Sequence, residues 1–136
     1  MRTFHIFSID KSIKSLARDD AYQLYNTFKK IKGLNKDDLS LGINLYEQVA
    51  VPIEKEKYNK YIFKNYTDSD FYCKYRSEHN YFNKYRNEES HLKVGSAFLK
   101  VETNVSNPDF FKCLKKDHNL FVCDFDNCDY FWMDRI

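Results

Sequence analysis

The chain has 136 residues, of which 43% are hydrophobic and 18% aromatic, and its formal net charge is +2. This length fits one domain with its own core, and a chain so rich in aromatic residues is not expected to be disordered. Because the net charge is close to zero, the chain lacks the large excess of basic residues that is typical of proteins that bind nucleic acid or anionic membranes.

The first third of the chain predicts a strand followed by a long amphipathic helix. Arg2–Ile9 has apolar residues at both alternating sets of positions, which predicts a strand buried on both faces. Asp10 or Ser12 can cap the following helix, and Gly33 can end it. Between them, apolar residues recur every three or four positions over about five turns, which predicts one helix: Ile13, Leu16, Ala17, Ala21, Leu24, Phe28 and Ile31.

The next segment is ambiguous and is followed by a clearer helix. Leu39–Val49 fits both the alternation of a strand and the spacing of a helix. We favour a helix that ends at Val51, because Pro52 disfavours the helical conformation of the residue before it. Glu54–Tyr66 predicts another helix, with these residues on one side: Tyr58, Tyr61, Ile62 and Tyr66.

The second half alternates with the period of strands. The predicted strands are Phe71–Arg76, Tyr81–Arg86, Lys93–Glu102, Leu120–Phe125 and Tyr130–Met133. Asn87–Ser90 and Asp126–Asp129 are predicted turns, and Pro108 opens a short helix that contains Phe110, Phe111 and Leu114. We expect four aromatic residues of the last hairpin to be structural: Phe121, Phe125, Tyr130 and Trp132. Together the patterns predict an α+β fold in one domain, residues 1–136, with helices packed on a mostly antiparallel sheet.

The cysteines and histidines give no clear catalytic or metal site. No signal peptide or apolar run of about 18–20 residues is evident, so we expect a cytoplasmic protein with reduced thiols. The cysteines are Cys73, Cys113, Cys123 and Cys128. Cys123 and Cys128, with His118 upstream, lack the second close pair that is typical of zinc sites. We therefore expect no catalytic residue, cofactor or metal, although a cysteine- or zinc-dependent enzyme stays an alternative because a catalytic partner can lie anywhere in sequence.

The stretch Tyr58–Tyr85 suggests a second alternative. Its tyrosines are interleaved with lysines and arginines, as in proteins that stack single-stranded bases on aromatic rings. Acidic residues in the same stretch weaken its positive field, and tyrosines on strands commonly pack across the sheet. A nucleic-acid-binding protein with a tyrosine-rich sheet is therefore the alternative to a protein-binding module.

The last forty residues contain a spaced pattern that resembles a known family. The pattern consists of Phe110-Phe111, Leu114-Lys115-Lys116, Phe121, Asp124-Phe125, Tyr130 and Trp132. It resembles the end of the sporulation inhibitor of replication (SirA) family of endospore-forming bacteria. Further matching positions occur upstream in the same order: the strand Phe4–Ile9, then Ile13, Arg18 and Asp19, and the pair Pro52-Ile53.

The resemblance implies a non-enzymatic regulator. Members of this family bind the N-terminal domain of the replication initiator DnaA and restrain initiation as sporulation begins. Their contact with DnaA lies near the start of the first helix. The resemblance therefore implies Ile13 and Ala17 as contact residues, and the family has an aromatic residue at the position of Ala17. With the neighbouring segment Leu45–Val49, the expected partner-binding residues are Ile13, Leu16, Ala17, Leu45 and Gln48. We expect a monomer that contacts neither nucleic acid nor membrane directly.

Overall fold

The computed structural model describes residues 1–33, 46 and 49–136. Its α-helices are α1 (Lys11–Ala17), α2 (Ala21–Lys32), α3 (Lys55–Tyr66) and α4 (Phe110–Leu114). Its strands are β1 (Arg2–Ile9), β2 (Ala50–Val51), β3 (Tyr72–Tyr75), β4 (Glu78–Asn83), β5 (Glu88–Val94), β6 (Leu99–Thr103), β7 (Leu120–Asp124) and β8 (Asp129–Trp132). A short 3₁₀ helix, Met133–Arg135, follows β8. None of the described helices is long and apolar enough to cross a membrane.

The described strands form one antiparallel sheet, which confirms the predicted α+β class. The strand order is β3-β4-β5-β6-β1-β7-β8, and β2 pairs with the end of β1. The central strand β1 pairs Phe4 with Val101 of β6 and Ile6 with Val122 of β7. Helices cover β1 on both faces of the sheet, which explains why its sequence is apolar at both alternating sets of positions.

Helices cover the sheet on both faces, and each face has its own apolar cluster. On the face that we call the α3 face, Phe4 and Ile6 pack with residues of α3 and α4. On the opposite face, the α2 face, Phe7 and Ile9 pack with residues of α2, β7 and β8. The rings of Phe7 and Phe28 stack there at a centroid distance of 3.9 Å. Alternate side chains of β1 therefore belong to the two apolar clusters on opposite faces of the sheet.

The predicted five-turn helix is wrong in one respect, because it is divided into α1 and α2. Asp20 precedes α2 with the non-helical angles φ −130° and ψ 66°. Aspartate side chains compete with helical backbone hydrogen bonds, so the pair Asp19-Asp20 favours a break there. The predicted ends are confirmed, since Asp10 accepts a hydrogen bond from the Ser12 backbone N–H and the Gly33 N–H donates to the Lys29 carbonyl.

Two predicted helices agree with the structure, and one lies largely outside it. The helix predicted at Glu54–Tyr66 is α3, with Ile62 and Tyr66 buried and Tyr58 and Tyr61 packed partly against the core. The short helix predicted after Pro108 is α4. The prediction for Leu39–Val49 falls outside the described residues, apart from positions 46 and 49.

The predicted turn at Asn87–Ser90 is wrong, because Glu88 and Ser90 belong to β5 and are buried. Glu88 Oε2 accepts hydrogen bonds from Ser90 Oγ at 2.7 Å and from the Asp109 backbone N–H at 2.9 Å. Such bonds let polar side chains occupy buried strand positions that a hydropathy pattern assigns to a turn. The turn lies at residues 84–87 instead, and the predicted strand Lys93–Glu102 is divided between β5 and β6.

A buried histidine fixes the outer strands beneath α3. The side chain of His79 is fully buried, and its Nε2 lies 2.7 Å from Asn59 Oδ1, an atom that can only accept. The Nδ1 atom therefore accepts from the Tyr72 hydroxyl at 2.6 Å. Burial, with a smaller contribution from Lys74, lowers the pKa of His79 to about 4. The imidazole is thus neutral near pH 7 and acts as a structural link.

Candidate protein-binding surface

One side of α1 is attached to the end of the chain by a nearly buried ion pair. The Lys14 side chain is 11% exposed, and its Nζ lies 3.2 Å from Asp134 Oδ2. The same ammonium lies 5.4 Å from the centre of the Trp132 ring, and His118 Nδ1 lies 3.3 Å from the same Asp134 oxygen. These contacts hold α1 in a defined position against β8 and the 3₁₀ helix.

The charge state of Asp134 supports this attachment. Burial opposes ionisation of the carboxyl, but hydrogen bonds and positive charge from Lys14 and His118 outweigh it. The net result is that the pKa of Asp134 lies below its usual value of 3.8. The carboxylate is therefore ionised at neutral pH and keeps Lys14 in place.

The other side of α1 presents a large apolar side chain to solvent. Leu16 is 82% exposed, whereas Ile13 and Ala17 are partly buried and pack against the cluster of the α2 face. The exposure of Leu16 follows from the break after α1, since Leu16 does not continue the stripe of Leu24 and Phe28. Three of the predicted partner-binding residues thus lie together on α1.

The other two predicted partner-binding residues, Leu45 and Gln48, lie outside the described residues. An exposed aromatic residue extends the surface towards α2 instead, because Tyr22 is 55% exposed. Its ring lies 6.3 Å from that of Tyr130 of β8. We call Ile13, Leu16, Ala17 and Tyr22 the α1 surface.

A shallow groove of about 380 Å³ lies beside the α1 surface. It runs between the link from α1 to α2 and strand β8. Its lining combines aromatic side chains with charges of both signs: Arg18, Asp19, Asp20, Ala21, Tyr22, Tyr130, Phe131, Trp132 and Arg135.

The sequence pattern did not single out Tyr22 or Lys14. Tyr22 adjoins the apolar stripe and could have been found there, but nothing near Lys14 indicates its partner 120 positions away.

The buried cysteines are poorly suited to nucleophilic chemistry. Cys113 and Cys123 are buried, whereas Cys73 and Cys128 are exposed. Burial raises the pKa of both buried thiols, that of Cys113 to about 12. Neither buried residue therefore forms a thiolate near neutral pH, and the thiolate is the reactive species. Within residues 1–33 and 49–136, no group of three or more His, Cys, Asp or Glu side chains converges as a metal site would require.

Five of the seven tyrosines between Tyr58 and Tyr85 are buried or partly buried, whereas Tyr75 and Tyr85 are exposed. Tyr66 packs against Tyr72, Tyr81 and Phe110, with ring centroids 5.2–5.9 Å apart. The Tyr66 hydroxyl donates to Asp109. Rings held in this way are not available for stacking on bases. Among the described residues, a groove over β4, β5 and β6 is lined by two lysines and two glutamates, whose charges cancel.

Comparison with known proteins finds no match, either to a protein-family model or to a characterised protein. The resemblance to the SirA family therefore depends on the residues quoted above. Within the described chain, the α1 surface joins an exposed leucine, an exposed tyrosine and a helix that is fixed from behind. This combination suits the binding of another protein better than it suits catalysis.

Proposed function

We propose that this protein is a non-enzymatic cytoplasmic regulator that binds the N-terminal domain of DnaA and inhibits initiation of chromosome replication during sporulation. The α1 surface makes the contact in this proposal. The supporting observation is Leu16, which is 82% exposed on a helix whose opposite side is held by the Lys14–Asp134 pair. The partner's identity rests on the resemblance to the SirA family.

Physical reasons favour α1 as the centre of an interface. A single exposed leucine is ordinary on a protein surface. Here, however, Leu16 shares the short helix α1 with the partly buried Ile13 and Ala17, and the ring of Tyr22 is exposed at the start of α2. Apolar and aromatic groups are enriched at interface centres, and a surface that is already ordered loses less entropy on binding. The charged rim at Arg18 and Arg135 would then orient the partner.

A charge at Leu16 tests this proposal. We expect Leu16→Glu to weaken binding by about 30-fold or more, because a central apolar contact is commonly worth at least about 2 kcal/mol and the new carboxylate would be buried unpaired. Isothermal titration with the N-terminal domain of DnaA from the same organism measures the change. Since Leu16 is exposed in the free protein, the melting temperature should stay within about 2 °C of the wild type.

The matched control is Tyr85→Glu. Tyr85 is 80% exposed, almost as much as Leu16, but lies in the turn between β4 and β5, away from α1 along the strand order. Its variant should bind as the wild type does. Equal binding by the wild type and Leu16→Glu would contradict the proposed surface, and absence of binding by the wild type would contradict the proposed partner. Ile13→Glu is a less selective probe, because Ile13 also packs against the core.

A further inference from the structure

Strand β3 lies at one edge of the sheet and is exposed along most of its length. Among the described strands it has one neighbour, β4. Cys73, Lys74 and Tyr75 are all exposed, and Tyr72 is partly buried. An open edge of this kind offers unpaired main-chain groups to another strand.

The pairing with β4 determines which main-chain groups point outwards. The Phe82 N–H donates to the Phe71 carbonyl at 2.9 Å, so residues 71, 73 and 75 exchange hydrogen bonds with β4. The N–H and C=O groups of Tyr72 and Lys74 then point to the free edge. The Tyr72 N–H donates a long hydrogen bond of 3.5 Å to the Ser69 carbonyl, and it would exchange this weak bond for one to the second copy.

These outward groups are complementary to those of a second copy in one antiparallel register. When Tyr72 faces Lys74 of the second copy, each residue can donate and accept one hydrogen bond, and symmetry repeats the exchange. In the two nearest alternative registers, Tyr72 faces Tyr72 of the second copy or Lys74 faces Lys74. The remaining outward residue then faces a position beyond the end of the second copy's β3. The favoured register therefore places Cys73 opposite Cys73.

The flanking side chains are complementary in the same register. Tyr75 comes opposite Phe71, and Lys74 opposite the ring of Tyr72. Aromatic pairs across strands are favourable by about 0.2–1 kcal/mol. Asp70 and Arg76 lie in the turns that flank β3, so the strand register does not pair them. The edge thus complements itself in main-chain hydrogen bonds and aromatic contacts.

We propose that two copies of this protein associate edge to edge through β3, antiparallel, with Cys73 facing Cys73. A strand of four residues buries far less surface than the roughly 1,200 Å² of a stable complex. The association is therefore weak, and the protein is monomeric in dilute solution and dimeric when concentrated. The α1 surface, over the other side of the strand order, is left free in the dimer.

A proline at Lys74 tests the edge directly. Lys74→Pro removes an N–H that points away from β4, and proline is tolerated on edge strands. Lys74→Gln is the matched control, since it removes the same charge but keeps the N–H. Sedimentation equilibrium between about 10 µM and about 1 mM should show the mass of wild type and Lys74→Gln rising from 16.4 kDa towards twice that value, as mass action requires. Lys74→Pro should stay near 16.4 kDa.

Cross-linking at Cys73 is a second test that does not depend on the proline variant. Directly opposed residues at a site without hydrogen bonds have Cα atoms about 4.5 Å apart, within the range of about 4.4–6.8 Å for disulfides. Added diamide accepts the two protons and two electrons that the two thiols release as the S–S bond forms. We expect Cys128→Ser to form a covalent dimer at high protein concentration and Cys73→Ser to form none. The proposal is overturned if the wild-type mass is constant over the range, if Lys74→Pro associates as Lys74→Gln does, or if cross-linking requires Cys128.

Discussion

Trp132 tests whether the C-terminal hairpin holds the fold together. It is 3% exposed, and its ring meets that of Phe121 edge to face at a centroid distance of 5.0 Å. The Lys14 ammonium lies over the same ring. We therefore expect Trp132→Ala to open a cavity between β8, α1 and the α2 face.

The expected loss is large relative to the stability of a whole domain. Truncation of a buried Phe or Trp to Ala costs about 3–5 kcal/mol, whereas domains of this kind are stable by about 5–15 kcal/mol. An unfolding entropy of about 2.1 cal/mol/K per residue means that a chain of 136 residues loses about 3.5 °C per kcal/mol. The melting temperature of Trp132→Ala should therefore fall by about 10–18 °C.

Thermal and urea unfolding followed by circular dichroism measures this change. Tyr85→Ala, at a side chain that is 80% exposed, is the control and should change stability by less than about 0.5 kcal/mol. An unchanged melting temperature in Trp132→Ala, together with lost partner binding, would contradict a structural role for this residue. It would mean that Trp132 belongs to the interface and not to the core.

Two further variants test the buried polar groups. The pKa of His79 is lowered by burial from 6.5 to about 4, so the unfolded chain binds a proton first and stability should fall as pH drops from 6.5 towards 4. His79→Gln should show a smaller fall of melting temperature between these pH values, and equal falls would contradict the assignment. Arg2→Leu removes the guanidinium whose Nε lies 2.5 Å from Asp124, a fully buried carboxylate. This variant should lower the free energy of unfolding, measured in urea, by about 1–3 kcal/mol. A urea midpoint equal to that of the wild type would show that Asn127 alone satisfies the Asp124 carboxylate.

Local patterns predicted the elements whose environment is uniform along their length. β1 was predicted with its observed ends, because apolar residues at both alternating sets of positions are typical of a strand that is covered on both faces. The helix predicted at Glu54–Tyr66 was confirmed for a similar reason, since its tyrosines and Ile62 lie on one side. In both cases the spacing of apolar residues alone contains the information that places the element.

The incorrect predictions concern residues whose burial or exposure is determined by contacts with residues that are distant in sequence. Glu88 looked like part of a turn, but the Asp109 backbone N–H and Ser90 satisfy its carboxylate inside the sheet. The sequence pattern did not single out Lys14, yet its ammonium pairs with Asp134, lies over the Trp132 ring and is nearly buried. The exposure of Leu16 likewise depends on a helix break that apolar spacing does not report. Tertiary contacts of this kind have no local signature.

Hydrogen exchange of the protein with and without the N-terminal domain of DnaA is the most direct test of the proposed function. It reports both whether the two proteins bind and where the contact lies. We expect slower amide exchange on complex formation in α1 and the first turn of α2, around Leu16 and Tyr22. Protection should not change in the turn that contains Tyr85. Unchanged exchange throughout the chain at saturating domain, or protection confined to strands outside the α1 surface, would contradict the proposal.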